Sequence, residues 1–235
     1  MTDRYADGRH LAENPRWHSE DAPLKADAVM RLLRSVGWTP AKVVDVGCGS
    51  GDVLRALRAR LDAGWGHDTQ LVGWESSADA ASLWTPTPGV TLRRGDPIAT
   101  GERGDLVLAL DVSEHVDDDV GFLRDLARLA PRVLLRMPLD DSWLDRLRPA
   151  RKRAARERYG HLHAYTRAVA LERLKSSGWT VVATDYDRAP PVLDSVRRRW
   201  MDRVRRVGLR VAPDLAVDAL GGWSLMVAAR KADGS

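Results

Sequence analysis

A chain of 235 residues, 44% hydrophobic and 30% charged, has the apolar material for one α/β domain with embellishments, and this balance excludes a disordered protein. The single cysteine, Cys48, excludes an internal disulfide and a cysteine-built zinc cluster, and Met1 to Glu20 is too polar and too mixed in charge for a signal peptide. With no apolar run of membrane-spanning length the expectation is a cytoplasmic protein, and a formal net charge of +4 matters mainly where it clusters, around Arg146 to Arg158 and Arg197 to Arg210.

Residues 1–40 read as a helical cap. Asn14-Pro15 marks a turn, and Ala28, Val29, Leu32, Leu33 and Val36 recur at helical spacing within Lys25 to Val36. Trp17, His18 and Lys25 are the cap residues to watch, with ordinary packing and surface roles as the competing reading. Val43 to Val46 then form a short buried strand that runs into Gly47-Cys48-Gly49-Ser50-Gly51, after which Leu54, Leu57 and Leu61 begin an amphipathic helix. Three glycines in five positions allow backbone conformations that side chains forbid. They also let a ligand lie against the main chain at a helix end with unpaired N–H groups. The spacing is G-x-G-x-G, whereas the dinucleotide turn is G-x-G-x-x-G. Asp45, just before the turn, can pair with a cationic ligand and repels a pyrophosphate. Cys48 reads as a small packing residue, with a catalytic thiol as the lesser alternative.

Gln70 to Glu75 is the second strand, and its terminal carboxylate lies roughly 20 to 30 residues past the glycines, where two acceptor oxygens suit a ribose diol. Ser76 to Trp84 reads as a helix broken by Thr85-Pro86-Thr87-Pro88-Gly89, and Val90 to Arg94 is a third strand ending at Gly95-Asp96. Asp105 to Leu110 is apolar on both faces, as a buried parallel strand is, and polar side chains gather after it in Asp111-Val112-Ser113-Glu114-His115-Val116. Ligands of open α/β sheets bind outside the carboxyl ends of strands, which makes His115 the first candidate base. A helix over Asp118 to Leu129 and a strand over Arg132 to Met137, closed by Pro138, complete the strand–helix alternation of a doubly wound sheet. Beyond it come an arginine-rich stretch from Asp140 to Tyr159, then Gly160 to Thr166 with His161 and His163. A helix over Arg167 to Ser176, a strand over Trp179 to Asp185, an insertion from Pro190 to Leu220 and a last strand over Gly222 to Ala229 follow.

From Lys42 to Pro138 these features, in this order, resemble the class I S-adenosylmethionine-dependent methyltransferases. Asp111 to Val116 is most similar to the small-molecule branch that includes ubiquinone-pathway O-methyltransferases. The resemblance implies an α/β, doubly wound Rossmann-like sheet of seven strands in the order 3-2-1-4-5-7-6, the last antiparallel, with N- and C-terminal lid helices. It implies one methyltransferase domain over residues 1–235: a cap at 1–40, a cofactor-binding core at 41–138, and a specificity part at 139–235 whose 190–220 insertion covers the active-site mouth. The cofactor implied is S-adenosyl-L-methionine, with S-adenosyl-L-homocysteine as product. Its implied contacts are Asp45, Gly47, Cys48, Gly49, Gly51, Glu75, Asp96, Asp111 and Val112. Asp96 would meet the adenine amine, and a plain turn role is its competitor.

Methyl transfer from a sulfonium is an in-line displacement that often requires removal of a proton from the acceptor. His115 and His163 are the expected catalytic residues and His161 the other candidate, with packing or plain hydrogen bonding as the rival role. Asp111, Glu114, His115 and His163 also resemble the E-x-x-E-H plus distant histidine that binds a divalent metal in small-RNA 2′-O-methyltransferases, and a metal is carried as the less favoured alternative. The expected activity is O-methylation of a small molecule in specialised metabolism. RNA methylation ranks below it, because the arginine clusters could equally attract an acidic carrier protein or an anionic small substrate. A partner subunit that binds cofactor without turnover is the alternative of a different class. No membrane partner is expected, and acceptor identity and oligomeric state stay open.

Overall fold

The computed structural model describes residues 11–12, 14–17, 19–64, 69–147, 160–188 and 195–232. Helix α1 (Ala22–Val36) carries a proline in its first turn, where the missing N–H is no loss. It ends at Gly37, whose φ of 68° lets the Gly37 and Trp38 amides reach back to the carbonyls of Arg34 and Leu33. Strand β1 (Lys42–Val46) and helix α2 (Asp52–Gly64) flank the glycine turn. Strand β2 (Gln70–Glu75), the one-turn helix α3 (Ala78–Ala81), and strands β3 (Val90–Arg94) and β4 (Leu106–Leu110) follow. A single 3-10 turn at Ser113–His115 then leads to α4 (Asp119–Leu126) and β5 (Arg132–Pro138). The C-terminal part contains α5 (Trp143–Arg146), α6 (Arg167–Ser176), β6 (Trp179–Asp187), α7 (Val196–Val211), α8 (Pro213–Leu220) and β7 (Ser224–Lys231).

The seven strands form one sheet in the expected order, β3-β2-β1-β4-β5-β7-β6, with β7 antiparallel to both of its neighbours. The alternation of side chains along each strand fills two separate cores. On β5 and β7, Val133, Leu135, Leu225 and Val227 pack toward α4 and α6, while Leu134, Met226 and Ala228 pack toward α1 and α2. Both faces of the central strands are therefore covered, and the glycine turn and Asp111 lie at the carboxyl ends of β1 and β4.

Several expected boundaries move, two of them beside the site. The helix expected over Ser76 to Trp84 is regular only through Ala81, with the Ser77 hydroxyl capping the Ala80 amide; Trp84 turns away and donates its indole N–H to the Gly49 carbonyl at 2.9 Å. The last strand begins at Ser224, because Gly221 and Gly222, with φ of 58° and 85°, make the turn that precedes it. Of the arginine-rich stretch, residues 148–159 lie outside the described residues, as does His18.

Candidate active site

The glycine turn is shaped by contacts that leave no room for a β-carbon. Gly47, Gly49 and Gly51 have φ of 74°, 54° and 76°. A β-carbon would stand 2.7 Å from Val112 at Gly47, 2.8 Å from the Trp17 ring at Gly49 and 2.7 Å from Leu92 at Gly51. The turn is tied to the next strand: the Gly47 and Cys48 amides donate to the Trp74 carbonyl, and the Gly49 amide donates to Glu75 Oε2 at 3.0 Å. Glu75 Oε1 accepts from the Ser77 amide at 2.8 Å, so this buried carboxylate is fixed at the tip of β2. Cys48 is buried, and burial pushes its thiol well above the usual range, which removes the thiolate needed for a catalytic role.

Asp45, only 3% exposed, lies beneath the turn, and burial pushes its carboxyl up to about 8. Lys25 opposes this shift and Glu75 reinforces it. Across the sheet Asp111 has φ of 60°, unusual for a side-chain-bearing residue, and is gripped by Lys25 Nζ at 2.7 Å and by Arg136 Nη1 at 2.5 and 2.6 Å. Burial works to raise its carboxyl, yet Arg136 and Lys25 overcome that and hold it well below the carboxylate range. Arg136 in turn binds Asp187 at 2.8 Å.

These groups open on one cavity of about 500 Å³, whose lining includes Trp17, Gly49, Glu75, Asp111, His115 and His161. At its far side Glu114 is fully buried, with both carboxylate oxygens lacking hydrogen-bond partners among the described residues. Burial, and then Asp111, push its carboxyl well above the ordinary value. The His115 and His161 rings meet edge to face at 5.0 Å between centroids. His115 Nδ1 lies 3.2 Å from the Gly160 carbonyl and His161 Nδ1 lies 2.6 Å from Asp140 Oδ2. A carbonyl and a carboxylate accept, so each Nδ1 is the donor in these bonds and Nε2 is the other ring nitrogen of each histidine.

Several expected site residues are brought together here: Asp45, Gly47, Cys48, Gly49, Glu75, Asp111, Val112 and His115 all line the cavity. Three placements differ from expectation. His163 does not line the cavity; its Nε2 faces the Val116 carbonyl at 2.8 Å and its ring stacks on Tyr165, so His161 takes the place foreseen for it. Asp96 is exposed in a turn, accepting from the Ile98 amide, and also stands outside the lining. Gly51 sits behind the turn against Leu92. The expected metal set fails as written, since Asp111 is already held by two cations and His163 is elsewhere. Glu114, His115 and His161 instead bring their ligand atoms within 4.8 Å of one another. Sequence reasoning missed Arg136 and Asp140. A charged residue inside the apolar run of β5 was the available signal for Arg136.

The arrangement fits the expected S-adenosylmethionine. The Gly47, Cys48 and Gly49 backbone lines the cavity, Glu75 presents a fixed carboxylate for a diol, and Asp45 is a buried carboxyl on the same lining with Lys25 as its neighbouring cation. A glycine turn after the first strand of a 3-2-1-4-5-7-6 sheet, facing a histidine pair across one cavity, defines a group-transfer enzyme of the methyltransferase type.

Comparison with known proteins agrees. The family described as Methyltransferase domain matches residues 17–184, and the chain belongs to it. No protein of curated function matches in sequence. Among solved structures, the plantazolicin methyltransferase BpumL, in complex with a desmethyl-plantazolicin analogue and SAH, superimposes with a TM-score of 0.61 at 16% identity, covering 98% of this chain and 94% of its own. Magnesium protoporphyrin IX methyltransferase from Synechocystis PCC 6803, with bound SAH, gives 0.56 at 18% identity, covering 89% and 83%. A chain from the complex of the Haloferax volcanii methyltransferase activator Trm112 gives 0.63 at 15% identity, covering 97% and 98%. At these identities the likeness is one of fold.

Proposed function

We propose that this methyltransferase moves the methyl group of S-adenosyl-L-methionine to an oxygen of a small-molecule acceptor, leaving S-adenosyl-L-homocysteine. The observation that carries the reading is the single cavity that joins a cofactor-shaped glycine turn to a pair of orientated histidines. Support for a small acceptor comes from the fold neighbours that act on plantazolicin analogues and magnesium protoporphyrin IX. The Asp111 to Val116 segment supports an O-methylating branch similar to the ubiquinone-pathway enzymes.

When bound, S-adenosylmethionine supplies an electrophilic methyl on a cationic sulfur. Gly47, Cys48 and Gly49 would line its bed with main chain, Glu75 would hold the ribose hydroxyls, and Asp45 would offer negative charge once ionised. Trp17, packed on Gly49, keeps water from that end of the cavity. At the other end the acceptor hydroxyl gives its proton to Nε2 of one of the two histidines. Asp140 aligns His161 and stabilises the imidazolium that results, and the Gly160 carbonyl aligns His115. Calorimetry with S-adenosylmethionine comes first, and absence of binding would defeat the proposal. A panel of phenols, alcohols and carboxylic acids then locates the acceptor. His161→Ala and His115→Ala should lower turnover about 100-fold for the base and less for its neighbour, with donor affinity kept. Unchanged turnover in both would remove the histidine pair from the chemistry.

One observation favours a second reading. A fully buried carboxyl whose oxygens have no hydrogen-bond partner among the described residues, with ligand atoms of two imidazoles within 4.8 Å, has the donor set of a divalent-metal site. Under that reading Glu114, His115 and His161 would hold an ion that lowers the pKa of an acceptor hydroxyl. Turnover that survives exhaustive chelation and shows no response to added Mg²⁺, Mn²⁺ or Zn²⁺ would leave the histidine base alone.

A further inference from the structure

Helix α7 turns apolar side chains outward. With 3.6 residues per turn, Val196, Val207, Trp200 and Val211 fall within a sector of about 60°, and they are 74%, 55%, 62% and 79% exposed. Arg199, Arg203, Arg206 and Arg210 occupy the adjoining sector and are exposed as well. The helix has one acidic residue, Asp202, which is buried and bound to Arg188 and Arg206 at 2.7 Å each. Its inner side is anchored: Arg205 lies over the Trp223 ring at 5.9 Å and donates to the Leu220 carbonyl at 2.8 Å. Leu215 on the following helix, α8, is 58% exposed as well.

Interior packing does not account for this outward stripe, and its composition selects among occupants. An RNA backbone or an acidic peptide would be met by the arginines but would gain nothing from three valines. A lipid bilayer with anionic headgroups uses both sectors, since aliphatic side chains enter the acyl boundary, an indole settles at headgroup level and arginines reach back to phosphates. Low mean hydropathy with a strongly one-sided apolar stripe is the pattern of helices that lie in the membrane interface. The expectation of no membrane partner rested on the lack of a spanning segment, and no described helix is long and apolar enough to cross a membrane. Docking flat on a surface requires none.

We propose that the outer face of α7 docks on an anionic lipid bilayer, with Val196, Trp200, Val207 and Val211 inserted and Arg203 and Arg210 on the headgroup phosphates. Arg188 and Trp223, which touch the inner side of this helix, line the cavity, so docking brings the cavity wall next to the lipid.

The test is flotation of the full chain with vesicles of phosphatidylcholine alone or containing about one-third phosphatidylglycerol, at low and high salt. Retention on the anionic vesicles, weakened by salt, is expected, with little on the neutral ones. Arg203→Glu with Arg210→Glu should reduce it at least tenfold, on the basis of about fivefold per arginine charge near such a surface. Trp200→Ala should lower it at both salt concentrations. All three positions are exposed, and calorimetry with S-adenosylmethionine and melting curves read the rest of the molecule independently, so loss of donor binding and loss of docking are separate results. No retention of the wild-type chain at low salt would overturn the proposal. So would retention unchanged by both variants, or capture of RNA or an acidic polypeptide through these arginines without capture of vesicles.

Discussion

Asp45 gives the sharpest prediction, because its proton links fold stability to donor binding. Its carboxyl is pushed from the ordinary 3.8 up to about 8, mainly by burial. Between those values the native chain holds a proton that the unfolded chain has lost. Stability contributed at acid pH is therefore fully present below about 4, falls by about 1.4 kcal/mol per pH unit as pH rises, and levels off above about 8. Asp45→Asn, which has nothing to ionise, should flatten that slope and make the free protein more stable than wild type at alkaline pH. Burying a cationic donor beside Asp45 reverses the balance and favours the ionised form. At neutral pH about 0.9 of a proton should leave Asp45 on binding, and apparent affinity should drop about 100-fold from pH 9 to pH 6.

Calorimetry in buffers of different ionisation enthalpy counts the released protons directly. The donor's own α-amino group titrates near pH 8, so wild type must be read against Asp45→Asn under the same conditions. Equal proton release in the two proteins, together with parallel stability curves from pH 5 to pH 9, would refute the assignment of a neutral Asp45.

Three further outcomes are expected. Gly49→Ala places a methyl 2.8 Å from the Trp17 ring at a φ of 54°; donor affinity should fall at least tenfold and Trp17 emission should shift, as titration followed by fluorescence would report. Asp111→Ala leaves Lys25 and Arg136 mostly buried without their shared partner, and chemical denaturation should register a loss of about 3 kcal/mol. Tyr165→Phe removes a buried hydroxyl that sits 3.0 Å from Asp119 and 3.2 Å from the Ser113 carbonyl, and should lower the melting temperature by about 2–4 °C while leaving donor affinity unchanged.

The donor side was legible in the sequence because strong local constraints write it there. Positive φ at Gly47, Gly49 and Gly51 admits few residues other than glycine, and Glu75 falls at the end of an apolar run whose length sets where the strand stops. The acceptor side depends on long-range geometry. His161 and His163 sit two residues apart in a stretch without helix or strand, so no periodicity says which ring faces the cavity. The choice is made by bonds from a distant segment, as the Leu162 and His163 amides donate to the Glu114 carbonyl and turn His161 toward Asp140. Asp96 depends on such geometry too: the turn after β3 closes on itself through the Ile98 amide, and its carboxylate is exposed. The exposed stripe of α7 was written in the sequence too, but a helical pattern does not say which of its faces will meet the protein.

The charges between these two halves explain why the cap helix belongs to the site. Lys25 and Arg31, both on α1, reach Asp111 after β4 and Asp185 and Asp187 on β6, while Arg136 on β5 bridges Asp111 to Asp187. Apolar contacts through Ala28, Val29, Leu32 and Leu33 supply most of the energy that holds α1 to the sheet, since partly exposed ion pairs contribute little net stability. What the pairs add is register, because an apolar helix face can slide or rotate at small cost whereas a displaced Lys25 would leave Asp111 short of a partner in a mostly buried place. The same contact that seats the cap therefore keeps Asp111 occupied, which prevents it from serving as a metal ligand. Under the proposed function it also leaves Asp45 as the buried carboxyl on the cavity lining to answer the positive charge of the donor.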